Sequence, residues 1–172
     1  MTHEATAQTQ TIWYLEMCDS ASLNARALPE TLHVVECEIP QFALNRFLYQ
    51  LVGAQWQWSE KLEGDQNTWQ ALIESEAHRT FVAYHRGAIA GYFELYRPDG
   101  RNTEMLYFGL APGFIGMGFG GPLLSHAIAC AWGWPGTERV WLHTCSLDHP
   151  VALANYQARG MRIFREETIP LT

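Results

Sequence analysis

Basic residues are scarce in this chain of 172 residues: 11 Lys and Arg stand against 18 Asp and Glu, for a net charge of −7. Binders of the nucleic-acid backbone gain affinity from clustered cations that release counterions, so no nucleic-acid partner is expected. Charge of either sign makes up only 17% of the chain, and such a composition is not that of a disordered segment. The cysteines, Cys18, Cys37, Cys130 and Cys145, form no CxxC or CxxxxC pair, which gives no zinc-ribbon or knuckle signature. No HxxxH or HExxH pair occurs either, and no metal is expected. Each cysteine sits among apolar residues, as a buried free thiol in a reducing compartment would. No uninterrupted apolar run approaches the ~18 residues of a membrane span. The opening MTHEATAQTQ has neither the basic start nor the apolar stretch of a secretory signal. A soluble cytoplasmic protein without a membrane partner is the expectation.

Aromatic and apolar residues are plentiful. Apolar residues make up 48% of the chain, with seven Trp, seven Tyr and eight Phe. A chain of this length forms one domain and buries about 70% of its unfolded surface without a metal or disulfide. Residues 1–10 are polar and patternless and read as a tail, leaving 11–172 as the domain. TIWYLEM (11–17) is rich in strand formers, the stretch 20–30 reads as a loop or short helix, and LHVVECEIP gives a second strand stopped by Pro40. Apolar spacing predicts helices over 42–58 and over 67–78. Three β-rich runs follow between Phe81 and Pro112, divided by Arg86-Gly87 and by Pro98-Asp99-Gly100, and they predict an antiparallel meander. A glycine-rich stretch and a helix come next, then the strand ERVWLHTCSL, a short helix in HPVALANYQARG and a last strand in MRIFREETI. This order describes one α/β domain of the α+β type with a mixed sheet.

Gly116, Gly118, Gly120 and Gly121 lie between the strand ending at Leu110 and a helical pattern at Leu123, Leu124, Ala127, Ile128 and Ala131. Such a junction leaves the first helical amides unpaired at the positive end of the helix dipole, where an anion, above all a pyrophosphate, fits. Glycines there let phosphate oxygens reach the backbone, and Pro122 suits a first helical turn. A Walker loop requires Lys and then Ser or Thr after the last glycine, but Pro122 and Leu123 stand there. A dinucleotide fingerprint requires an acidic residue about twenty positions on at a strand end, and Glu138 precedes its strand. Glycines placed only for close helix–strand packing are the remaining plain alternative.

LAPGFIGMGFGGPLL resembles motif A of the GNAT superfamily of acetyl-CoA-dependent N-acetyltransferases. Leu110 and Pro112 match the strand end, and Gly118 and Gly120 match the required glycines. Met117 falls on a free position, and Ile115 replaces the usual Arg or Gln. A second superfamily signature is an Asn, a Tyr seven residues later, then Gly and an aromatic. Here His149 takes the Asn position, Tyr156 and Gly160 match, and Met161 replaces the aromatic. At 3.6 residues per turn His149 and Tyr156 point the same way. Asp148 or His149 would cap the start of that helix, and Gly160 would end it.

The resemblance spans about 81–164 and implies a single-domain GNAT-like fold. Its sheet would be mixed and mostly antiparallel, of about six to seven strands, with helices on both faces. It further implies that the coenzyme is bound by the amides of Ile115, Gly116, Met117, Gly118, Phe119, Gly120 and Gly121, with His149 beside them. Backbone groups of Phe108, Gly109 and Leu110, on a strand splayed from its neighbour at 140–146, would hold the pantetheine arm as an added strand. Gly109 suits close backbone approach.

Acyl transfer to an amine needs a neutral acceptor and a proton for the leaving thiolate. By resemblance Tyr156 would supply that proton, a phenol having a pKa near a thiol's; a core aromatic on an amphipathic helix is its plain alternative. Glu104, on the third run of the meander, is the candidate base, with Glu94 its rival and a water chain a third possibility. Strand alternation places Glu104 with Leu106, Phe108 and Leu110, away from Tyr107 and Gly109. A carboxylate near an apolar pocket has its pKa raised toward neutrality, as a base requires. Aromatics of 42–69 (Phe47, Tyr49, Trp56, Trp58 and Trp69) would stand near the acceptor or pack the core.

The leading expectation is an acetyl-CoA-dependent N-acyltransferase acting by direct attack in a ternary complex on an amine, small molecule or peptide. A noncatalytic acyl-CoA sensor on the same fold, and a nucleotide-binding protein using the glycine turn for another pyrophosphate, remain alternatives. An acidic protein attracts cationic amines, and dimerisation is common in the superfamily, which adds a homodimer to the partners to be considered.

Overall fold

The meander is built by its turns. Arg86 and Gly87 adopt left-handed backbone angles, φ 50° and 83°, the two-residue geometry whose twist matches that of flanking antiparallel strands. At the second turn the Asp99 carboxylate accepts from the backbone N–H groups of Arg101 and Asn102 and from the Asn102 side chain, which fixes the chain reversal. The computed structural model describes residues 8–171. Its elements are β1 (Thr9–Met17), β2 (Leu32–Glu36), α1 (Phe42–Gly53), α2 (Glu60–Glu63), α3 (Gln66–Ile73), β3 (His78–His85), β4 (Ala88–Tyr96), β5 (Asn102–Leu110), α4 (Gly120–Gly133), β6 (Arg139–Cys145), α5 (Ala152–Ala158) and β7 (Arg162–Pro170). The seven strands form one sheet in the order β2-β3-β4-β5-β6-β1-β7. All neighbours run antiparallel except β5 and β6.

Helices cover both faces. On one, Leu123, Leu124, Ala127, Ile128 and Ala131 of α4 pack with Leu15, Met17, Phe93, Leu95, Met105, Val140 and Leu142 of the strands, and Tyr156 of α5 joins them. On the other, α1 buries Asn45, Leu48, Tyr49 and Val52, spaced three or four apart as one helical stripe. Leu48 and Val52 meet Val82 and Tyr92 of the strands, while Tyr49 packs with Trp69 and Ile73 of α3. The mixed, mostly antiparallel seven-stranded sheet flanked by helices on both faces agrees with the architecture that the resemblance implies. Among the described residues no helix is long and apolar enough to cross a membrane.

Five expectations need correction. The first helix, expected over 42–58, ends at Gly53 and gives way to a 3₁₀ turn over Ala54–Trp56, after which Gln57 turns left-handed. The tail expected over 1–10 falls outside the described residues as far as residue 7, but Thr9 and Gln10 belong to β1 and pair with Pro170 and Ile169. The second helix, expected to reach His78, ends at Ile73. His78 opens β3, where it pairs with Tyr96 while its Nε2 meets Glu94 Oε1 at 2.5 Å. The meander therefore starts three residues before Phe81. Of the cysteines, all free, none is fully buried: Cys18, just past the end of β1, is exposed, and Cys37, Cys130 and Cys145 are partly buried.

Candidate active site

The site begins where the sheet splits. β5 and β6 pair only through Asn102, Thr103 and Glu104 against Arg139, Val140 and Trp141. Beyond them the strands part, and both Met105–Leu110 and 142–145 line a cavity of about 820 Å³. A bulge helps open the wedge. Leu95 pairs with Met105 and Glu94 with Tyr107, so Leu106 is the extra residue on β5, and a bulge bends its strand and increases its twist. Backbone N–H and C=O groups along the parted edges must find partners outside the sheet. An extended ligand carrying amides supplies them, as an added strand would. Gly109 stands where α1 comes nearest: a Cβ there would lie 2.4 Å from Val52 Cγ1.

The same bulge corrects the expected face of Glu104. Past Leu106 the alternation is reversed, so Met105, Phe108 and Leu110 pack toward α4, whereas Tyr107 and Gly109 face α1. Glu104 is paired with Tyr96 and shares the α1 face with Tyr107, opposite to Phe108 and Leu110. Burial pushes its carboxyl up to about 7, against a smaller opposing pull from Lys61. It stands at the apex of the wedge, next to the lining residue Met105, without itself lining the cavity. Glu94 is fully buried, bonded to His78, with Oε2 lacking a partner, and it does not line the cavity.

At the end of β5 the chain enters a 3₁₀ turn over Pro112–Phe114, then a loop in which Gly116 and Gly118 have φ 85° and 80°. That left-handed backbone favours glycine. No side chain caps the start of α4, so its leading N–H groups and positive dipole end are open to a ligand. Ile115, Gly116, Gly118, Phe119 and Gly120 line the cavity; Met117 and Gly121 do not. The Met117 side chain is half exposed, and Gly121 faces two arginines instead.

Tyr156, on α5, closes the inner wall. It is 8% exposed and meets the Phe108 ring edge-on, centroids 6.3 Å apart. Burial, reinforced by the Asp148 carboxylate, holds its phenol well above the ordinary value, so it stays protonated. His149 also lines the cavity, but from the turn before α5 and not from the helix that the spacing argument assumed. Its Nδ1 accepts from Val151 N–H at 3.2 Å, tying the entry to α5, and its ring lies edge-on to Trp56 at 4.9 Å.

Two lining residues lacked a sequence signal. Asp148 Oδ2 accepts from Thr144 Oγ1 at 2.5 Å and from the Cys145 N–H at 3.1 Å, while Oδ1 accepts from Trp58 Nε1 at 3.2 Å. Asn155 Nδ2 donates to the Gly120 carbonyl at 3.2 Å, joining α5 to the glycine loop. Asp148 stands ahead of α5, where a capping role draws notice to it, whereas nothing local marks Asn155 in the middle of that helix. Of the aromatics of 42–69, Tyr49, Trp56 and Trp58 line the cavity, Trp69 is core and Phe47 is half exposed. Tyr49, Trp58 and Tyr107 form a mutual cluster at 5.2–5.5 Å beside Glu60 and Lys61.

Comparison with known proteins bears on this geometry. A family model described as acetyltransferase (GNAT) family matches residues 45–161. An uncharacterised N-acetyltransferase of Mycobacterium bovis is 34% identical over 88 residues, which cover 49% of this chain and 56% of that protein. A mycothiol acetyltransferase of Nocardia farcinica is 34% identical over 96 residues, covering 56% of this chain and 30% of that protein. The chain thus spans about half the length of the first relative and under a third of the second. Among solved structures, a GCN5-related N-acetyltransferase from Sphaerobacter thermophilus superposes with a TM-score of 0.68 at 16% identity, over 92% of this chain and 50% of that one; at this identity the likeness is one of fold.

Proposed function

The chain belongs to the acetyltransferase (GNAT) family, and from that premise we propose that it transfers an acetyl group from acetyl-CoA to an amine by direct attack. The observation that carries this reading is a single cavity holding both the parted edges of β5 and β6 and the uncapped start of α4. The parted edges suit the amide-bearing pantetheine arm, and the N–H groups from Gly116 to Gly120 suit a pyrophosphate, the Ile115 N–H being already bonded to the Pro112 carbonyl at 3.4 Å. Ile115 in place of an Arg or Gln removes one side-chain contact and leaves those amides in position.

Acetyl-CoA supplies a thioester carbonyl. The amine nitrogen forms a bond to that carbon, the C–S bond breaks, and the thiolate takes a proton. Tyr156 is the donor in this reading: its phenol is kept protonated by burial and by Asp148, and it faces the cavity beside Phe108. Glu104 removes the proton from the incoming ammonium, through water, because its carboxyl titrates near neutrality. Glu94, buried on β4 and bonded to His78, has no part in the transfer. The aromatic wall of Tyr49, Trp58 and Tyr107, with the Glu60 carboxylate beside it, suits an ammonium on an apolar body, since aromatic faces and a carboxylate both favour a cation.

Isothermal titration with coenzyme A, NAD and ATP tests the ligand: coenzyme A binds and the other two do not. Thiol release from acetyl-CoA across a panel of amines then tests turnover. Tight binding of acetyl-CoA with no thiol released for any amine would instead assign the fold to acyl-CoA sensing.

A further inference from the structure

The first turn of α4 carries charge that the cavity does not use. A Cβ placed on Gly121 would lie 3.4 Å from Arg159 Nη1, 3.5 Å from Arg26 Nη1 and 3.3 Å from Arg26 Cδ. Two guanidinium groups therefore converge on one point beside the helix start, and neither arginine lines the cavity. Arg159 follows α5 and is only 3% exposed, with Nε and Nη1 buried and lacking any hydrogen-bond partner. Among the described residues no carboxylate pairs with either arginine.

The backbone holds both in place. Arg26 N–H donates to Ser125 Oγ on α4 at 2.9 Å, and the Arg159 carbonyl accepts from Asn24 N–H at 2.9 Å. Burial and the Arg26 charge both push the Arg159 pKa down, yet a guanidinium does not give up its proton in a protein. A buried, uncompensated charge facing a like charge is costly, and a bound anion removes that cost. The positive end of α4 adds to the attraction, and planar guanidinium forks match phosphate oxygens bidentately.

We propose that Arg26 and Arg159, over Gly121, form a binding site for a phosphate-monoester dianion, adjoining the cavity but separate from its amide loop. The monoester can be a free phosphate or phosphorylated metabolite. It can also be the ribose 3′-phosphate of a coenzyme A molecule lying in the neighbouring cavity; only this second source rests on the acetyltransferase reading.

The test titrates inorganic phosphate, coenzyme A and 3′-dephospho-coenzyme A into the full chain and into Arg159→Leu and Arg26→Ala. The Arg26 side chain is exposed, so its removal leaves the core intact should Arg159→Leu disturb folding. Phosphate is expected to raise the unfolding temperature of the parent, with an affinity about tenfold weaker or worse in both variants. A parent preference of about tenfold for coenzyme A over its dephospho form, falling to near unity in the variants, supports the site with the coenzyme as source. No such preference, with phosphate binding still lost in the variants, supports it with a free phosphate. If neither coenzyme form binds but phosphate does, and the variants lose it, the acetyltransferase reading fails while the site stands. Parent and variants binding all three probes alike, or no phosphate response together with no preference, overturns the proposal.

Discussion

Asp148 and Trp58 join the two walls of the cleft: the carboxylate Oδ1 accepts from the indole Nε1 at 3.2 Å, bridging the segment after β6 to the segment after α1. The other oxygen of the same carboxylate holds Thr144 Oγ1 and the Cys145 N–H, so one side chain fixes the end of the parted strand. Asp148→Ala leaves three donors without their acceptor. The expected cost is about 1–3 kcal/mol of stability, with an affinity for coenzyme A about tenfold weaker because the strand edge loses its position. Chemical denaturation and calorimetric titration check the two effects, and unchanged coenzyme affinity would show that the cleft keeps its shape without this clasp.

Tyr156→Phe keeps the ring that packs with Phe108 and removes only the hydroxyl. If the phenol protonates the leaving thiolate, kcat falls about 10²–10³-fold while the KM for acetyl-CoA changes little. Steady-state thiol release separates the two constants. A fall confined to KM would place the hydroxyl in binding instead.

Much of this frame could be read directly from residues. The strand boundaries at Arg86-Gly87 and Pro98-Asp99-Gly100, the glycine turn before α4 and the helix carrying Tyr156 all rest on local signals, because turn backbone and helical spacing are properties of adjacent residues. What stayed hidden depends on pairing across the chain. No residue near Leu106 announces a bulge, so alternation assigned Glu104 to the wrong face. His78 joins β3 because Tyr96 and Glu94 receive it, partners sixteen or more positions away in sequence. Arg159 reads locally as an exposed helix-end cation, and only the return of the 22–26 segment over α5 buries it.

Glu104 makes a prediction about acidity in two measurements. Its carboxyl titrates at about 7 in the folded protein, against about 4.3 in an unfolded chain. As a base it works only when deprotonated, so the rate should climb with pH through a midpoint near 7, and Glu104→Gln should remove that limb. The stability effect has the opposite sense. Between the two values the folded state holds the proton that the unfolded state has released, so folding is progressively penalised as pH rises through this window. At pH 8 the full penalty applies, and Glu104→Gln is then expected to stabilise by on the order of 3–4 kcal/mol relative to its effect at pH 4. Denaturant unfolding at the two pH values checks the difference. A variant that loses the kinetic limb without gaining stability at high pH would separate the base role from the burial that sets its acidity.

Gly109 and Val52 test whether the wedge depends on how closely α1 approaches β5. A methyl group on Gly109 would stand 2.4 Å from Val52 Cγ1, well inside van der Waals contact, and Val52 is itself 1% exposed with no space to yield. Gly109→Ala must therefore push α1 outward or bend β5 inward, into the cleft. Overpacking of this kind costs about 1–3 kcal/mol. Val52→Ala alone opens a small void and also destabilises, by about 1–2 kcal/mol. Because the two changes act on one contact, the double variant should be more stable than the sum of the singles predicts, by about 1 kcal/mol or more. Coenzyme affinity distinguishes the direction of the strain. If β5 bends, Gly109→Ala weakens coenzyme A binding and Val52→Ala restores it; if α1 moves, stability falls with affinity intact. Strict additivity of the two substitutions in denaturation would show that the contact is relieved elsewhere, and that the spacing of helix and strand does not set the width of the cleft.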